Sequence, residues 1–98
     1  MRADQISRIL DQDFHLPDHV VYRSFALETV VVNLERGVYH GLNPTAGRML
    51  ESLERASSAR VAARSLADEL GEPLERIEAD LAAFTADLVD RGLIESAR

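Results

Sequence analysis

The stretch E28-TVVVNLERGVYHGLNPTAGRML-50 changes its grammar at Asn43 and decides how the rest of the chain folds. Up to Leu42 it is rich in β-branched residues, and alternation puts Val30, Val32 and Leu34 on one face with Val31 and Asn33 on the other. Gly37 can take a positive φ, so "ERGV" is a tight turn and Val38 to Leu42 returns as an antiparallel strand. Asn43 is a good helix cap, and Pro44 suits the first helical position, where its missing N–H costs nothing. A five-residue strand with Gly41 inside it, running straight into a helix, adds little sheet stability of its own. It is either a connector or a place where something else pairs.

Before this stretch, "HVVYRSF" from His19 reads as a first strand, which makes a three-stranded antiparallel meander. After it, the Asn43-capped helix is expected to bury Ala46, Met49, Leu50 and Leu53. Gly47, about 1 kcal/mol worse than alanine in a helix, fits neutral drift or close packing on a neighbouring element; close packing is the expectation. A second helix begins near Ser58, with Val61, Leu66 and Leu70 as its apolar side, and stops at Gly71. Pro73 opens a third helix whose Leu74, Ile77, Leu81, Phe84 and Leu88 recur at spacings of three and four. Gly92 ends it, and Leu93 and Ile94 fold back onto the core. The fold class is α+β: a three-stranded meander followed by three helices, with winged-helix-like parts. Residues 1–18, polar and ending near Pro17, are expected to be a flexible N-terminal arm or one loose turn of helix. Residues 19–98 form the domain.

The 98 residues suit one domain, and 46% hydrophobic with 29% charged residues is ordinary for a soluble protein. There is no cysteine, which excludes disulfides, thiolate metal sites and cysteine nucleophiles. No apolar run approaches a membrane span, and "MRADQISRIL" lacks a signal-peptide pattern, so a cytoplasmic protein is expected. His15 and His19 lie four apart near Asp13 and Asp18, but Pro17 between them prevents the helix that would align two imidazoles on a metal. A solvated loop is the simpler reading. His40 has no Ser, Cys or carboxylate at catalytic spacing, and Gly37, Gly41 and Gly47 make no phosphate-binding loop. Neither an enzyme nor a cofactor is expected.

Two helices joined by a Gly/Pro turn beside a small sheet also suggest DNA binding. Charge argues against it. The net charge is −6. The third helix sets Glu75, Glu78, Asp80, Asp87 and Asp90 against only Arg76 and Arg91, so phosphates would repel it. A winged-helix-like interaction or regulatory domain that does not bind nucleic acid stays open as the alternative.

"ETVVVNLERGVYHGLNPTAGRML", followed by "SLADELGEPLERIEADLAAFTADLVDRGLIE", resembles the PqqD family over roughly residues 18–95. The pieces that carry it are the hairpin ending "YHGLN", a helix directly after the Asn, and the closing "DLVDRGLIE". "LNPTAG" also looks like the stand-alone leader-binding proteins of lasso-peptide biosynthesis. The resemblance implies a non-catalytic protein that recognises the leader of a ribosomally made, modified precursor peptide. Such a protein needs no cofactor and hands the peptide to a separate modifying enzyme or leader peptidase. It also implies how: the leader adds as a strand along Val38, Tyr39, His40, Gly41 and Leu42, in a groove walled by the third helix through Ile77, Asp80, Leu81, Phe84, Asp87 and Leu88. Val38, His40 and Leu42 share the inward face; Tyr39 and Gly41 point the other way. Gly41 would admit a foreign backbone or mark a bulge. Ile77, Leu81, Phe84 and Leu88 read first as core, with Phe84 and Leu88 also reaching the groove floor. Asp80 and Asp87 would sit on its rim and favour a basic leader. Monomer and dimer both stay open.

Overall fold

The computed structural model describes residues 1–97. The meander is as expected: β2 (Val20–Ser24), β3 (Thr29–Asn33) and β4 (Val38–Leu42), antiparallel in the order β2-β3-β4. Its register sets Val31 opposite Tyr22 and His40, so Val20, Tyr22, Thr29, Val31, Asn33, His40 and Leu42 share one face. That face lies on the core. In the β3–β4 turn Gly37 has φ +67°, and the Asn33 carboxamide accepts from the amides of Glu35 and Arg36.

Three helices follow: α2 (Pro44–Arg55), α3 (Ala59–Leu70) and α4 (Leu74–Asp90). Asn43 Oδ1 accepts from the Ala46 amide at 2.8 Å, and Ser58 caps α3 by accepting from Val61. Gly71 ends α3 in the left-handed region, where only glycine sits without strain. Gly47 packs as expected. A Cβ there would stand 3.0 Å from the Thr29 Cβ and would overlap its hydroxyl, so α2 lies directly against β3. Tyr22 donates to Glu54 Oε1 at 2.7 Å, joining β2 to α2. Burial, then the Glu54 carboxylate, pushes its phenol well above the ordinary value of 10.0.

The expected faces need some correction. Val61 of α3 points outward, and Ala59, Ala62, Ala63, Leu66 and Ala67 make the buried side. Small side chains let α3 lie close between α2 and α4, so backbone proximity outweighs side-chain hydrophobicity there. Leu74, at the first turn of α4, is exposed, and Thr85 is buried in its place on the stripe. Ala46 is only half-buried.

The largest difference lies in residues 1–18. Instead of a flexible arm they form α1 (Ala3–Leu10) and β1 (Phe14–His15), with Leu10 and Phe14 in the core. β1 pairs with β5 (Glu95–Ser96), and the Ala97 amide donates to the Asp13 carbonyl. Arg60 on α3 adds a polar clamp, reaching Asp11 at 2.9 Å, Ser7 Oγ at 3.2 Å and Glu78 at 3.5 Å. Buried Leu10 and Phe14 supply the hydrophobic gain that a solvated arm lacks. Leu93 and Ile94 are buried as expected and bring β5 to its partner.

Candidate functional site

β4 forms one edge of the sheet, hydrogen-bonded on one side to β3 and unpaired on the other among the described residues. It is a regular strand: Gly41 pairs with Val30 in unbroken register, which excludes a bulge. Nothing in the strand blunts its edge by the usual means of proline, bulge or lysine.

α4 reaches the inward side of β4 at its C-terminal end, through the last residue of a helical stripe. Asp80, Phe84, Asp87 and Arg91 follow each other at spacings of four, three and four, the period of a single helical stripe. The end of that stripe is anchored to the strand, because Arg91 Nη1 donates to His40 Nδ1 at 3.4 Å. Arg91 also holds Asp87 at 3.2 Å. The candidate slot is the space between the free backbone edge of β4 and this stripe, with half-buried Phe84 on the helix side and the His40–Arg91 contact at one end.

The expected site residues divide into three groups. Val38, His40 and Leu42 face the slot side of the sheet, whereas Tyr39 and Gly41 face away and can offer the slot only backbone. Asp80, Phe84 and Asp87 present polar or apolar surface from α4. Ile77, Leu81 and Leu88 retain at most 4% of their surface and are core, so Leu88 does not reach the groove floor as expected. Arg91 is the residue the sequence reading missed as a site member. Its signal was there: it lies four after Asp87 and seven after Phe84, on the same stripe.

The charge on the slot is also weaker than the two acids suggest. Arg91 neutralises Asp87, while Asp80 makes no ion pair among the described residues. His15 and His19, the metal candidates, go to different carboxylates: His15 Nε2 lies 3.1 Å from Glu95 and His19 Nδ1 3.7 Å from Glu35. No helix among the described residues is long and apolar enough to cross a membrane.

A short antiparallel meander with an open last strand, followed by three helices, is the architecture these elements define. The family model for "Coenzyme PQQ synthesis protein D (PqqD)" matches residues 28–94, from the turn between β2 and β3 through the buried Ile94. The chain belongs to the PqqD family. No curated protein sequence matches it. Among solved structures it is similar to one described as "Lasso peptide synthetase B1 complexed with the leader peptide", with a TM-score of 0.75 and 24% identity over 85% of this chain and 98% of that one. It is also similar to "TbiB1 in Complex with the TbiA(beta) Leader Peptide", with a TM-score of 0.74 and 26% identity over 82% of this chain and 93% of that one.

Proposed function

We propose that this chain recognises the leader of a ribosomally made precursor peptide by taking it as a fourth strand on β4, and presents it to a separate modifying enzyme or leader peptidase. The observation that carries the reading is the unpaired, unblunted edge of β4, tied at His40 to Arg91 of α4. Family membership and the two leader-peptide complexes of similar fold support it. Main-chain hydrogen bonds to β4 supply affinity without regard to sequence, and side chains supply selection. Alternate residues of the added strand turn toward His40, Leu42 and Phe84, while those between them emerge beside Tyr39. Asp80 favours a basic residue at its level of the strand; Asp87, already held by Arg91, contributes little. The chain acts without catalysis and without a cofactor. Its peptide is disordered when free, and ordering it on binding offsets part of the contact energy. Affinity is therefore expected near 1 μM or somewhat tighter, about −8 kcal/mol.

The test is a titration of fluorescently labelled leader, taken from a precursor gene beside this one, followed by anisotropy and amide shifts. Saturable binding with shifts along Val38 to Leu42 and at Phe84 is expected. Tyr39→Pro removes a backbone donor from the free edge, because the ladder turns the amides of Val38 and His40 toward β3 and that of Tyr39 away from it. It should abolish binding while the circular dichroism spectrum stays native. A folded Tyr39→Pro chain that bound the leader normally would rule out strand addition on β4.

A further inference from the structure

Only one face of the three-stranded sheet is covered. The other carries two cross-strand rows, Val21–Val32–Tyr39 and Arg23–Val30–Gly41. Phe25 and Leu34 extend it at either end. These apolar groups are open: Val21 is 46% exposed, Phe25 59%, Leu34 60% and Tyr39 74%. Together they expose roughly 600 Å², the upper end of the largest apolar patch on an ordinary monomer.

The second row is also polarised. Gly41 has no side chain, and Glu28 Oε2 lies 3.0 Å from where its Cβ would stand. The row therefore reads Arg23 at the β2 edge, Val30 in the middle and the Glu28 carboxylate at the β4 edge. A two-fold axis running along β3, just above this face, exchanges the two edges while keeping each row at its own level. Arg23 then meets the partner's Glu28 and Glu28 the partner's Arg23. Val30 meets Val30, Val32 meets Val32, and Tyr39 covers Val21. A chain of net charge −6 repels its own copies over most approaches. This face is balanced, with opposite charges where a two-fold axis needs them.

We propose that two copies of this chain associate through the outer face of β2-β3-β4, sheet against sheet, with reciprocal Arg23–Glu28 pairs. Aligned sheets pack this way in β-sandwiches. The pair would bury about 1,200 Å² in all, the lower bound of a specific interface, so the dimer is weak and concentration-dependent. The free backbone edge of β4 stays outside the contact, so the dimer does not depend on the peptide reading.

Sedimentation equilibrium of the full chain tests this. The average mass should rise from 10.9 kDa toward twice that value as concentration increases. Arg23→Glu alone, and Glu28→Arg alone, should each weaken association about tenfold, since each replaces two attractive pairs by two repulsive ones. Mixed in equal amounts, the two variants should recover it, because one then carries acid and the other base at both positions. That recovery also separates a lost contact from a damaged fold. A monomer mass up to the highest soluble concentration would overturn the proposal. So would a mixture that associates no better than either variant, or an association that the charge reversals leave intact.

Discussion

Gly47→Ala pits helix propensity against packing, and the two predict opposite signs. In an open helix the change should stabilise by about 1 kcal/mol. Here the new methyl would stand 3.0 Å from the Thr29 Cβ and inside the reach of its hydroxyl. Thr29 cannot step aside easily: it is buried in the middle of the fold, is paired across β3 to both Ser24 and Leu42, and shares a 3.0 Å hydrogen bond with Ser24. Overpacking of this kind costs about 1–3 kcal/mol, and loss of the Ser24 hydrogen bond adds about 1 kcal/mol. With the propensity gain subtracted, the net loss is about 2 kcal/mol, a fall in Tm of about 10 °C for a domain of this size. Thermal denaturation followed by circular dichroism measures it. Thr29→Ala removes the nearest atom, so in a double-mutant cycle the combined variant should lose about 1 kcal/mol less than the sum of the two singles. A Gly47→Ala chain that melts higher than the parent would refute the close α2–β3 contact.

Asn43→Ala should lower stability by about 1 kcal/mol, because the Ala46 amide loses its acceptor at the start of α2; urea denaturation with an unchanged slope checks it. Leu81→Ala, a core truncation, should cost about 2–5 kcal/mol, whereas Phe84→Ala should cost less stability but weaken leader binding more, as melting and anisotropy on the same two proteins would separate. Tyr22 gives an alkaline signature. Its folded ionisation lies above the unfolded value of 10.0, chiefly through burial and then Glu54, so the folded state holds its proton longer and the stability this contributes is complete below pH 10 and lost as pH rises through the folded value. Denaturant midpoints should fall above pH 10 in the parent and fall less steeply in Tyr22→Phe.

The parts of this fold that can be read in sequence are those specified by neighbouring residues. Alternating valines, the Asn43-Pro44 start and the glycines at 37, 71 and 92 each fix local geometry, and each stands where the sequence puts it. The N-terminal segment is different. Two-residue strands have no periodicity, and what orders β1 lies some eighty residues away, at Glu95 and Ser96. Arg60 likewise joins Asp11 and Glu78, which no local pattern connects. Val61 misled because hydrophobicity ranks it above alanine, while the α3 interface selects for smallness. In β4, strand parity put His40 and Leu42 on the inward face, where the register has them. Helical spacing alone could not tell core Leu88 from half-buried Phe84, because both belong to the apolar stripe and only the position of α1 and α3 around α4 separates them.

The β1–β5 ladder sets an order on biosynthesis. Phe14 leaves the ribosome long before Ser96, the residue it pairs with. At about 5–20 residues per second the interval is on the order of ten seconds. For most of it Leu10 and Phe14 lack the α4 and C-terminal surfaces that pack on them, while the meander and α2 are completed well before its end. Of the elements described, α1 and β1 are thus made first and docked last. A nascent chain that stops before α4 would display an amphipathic helix that packs on α4 in the folded domain, and a holdase chaperone binding apolar helices would find its target there.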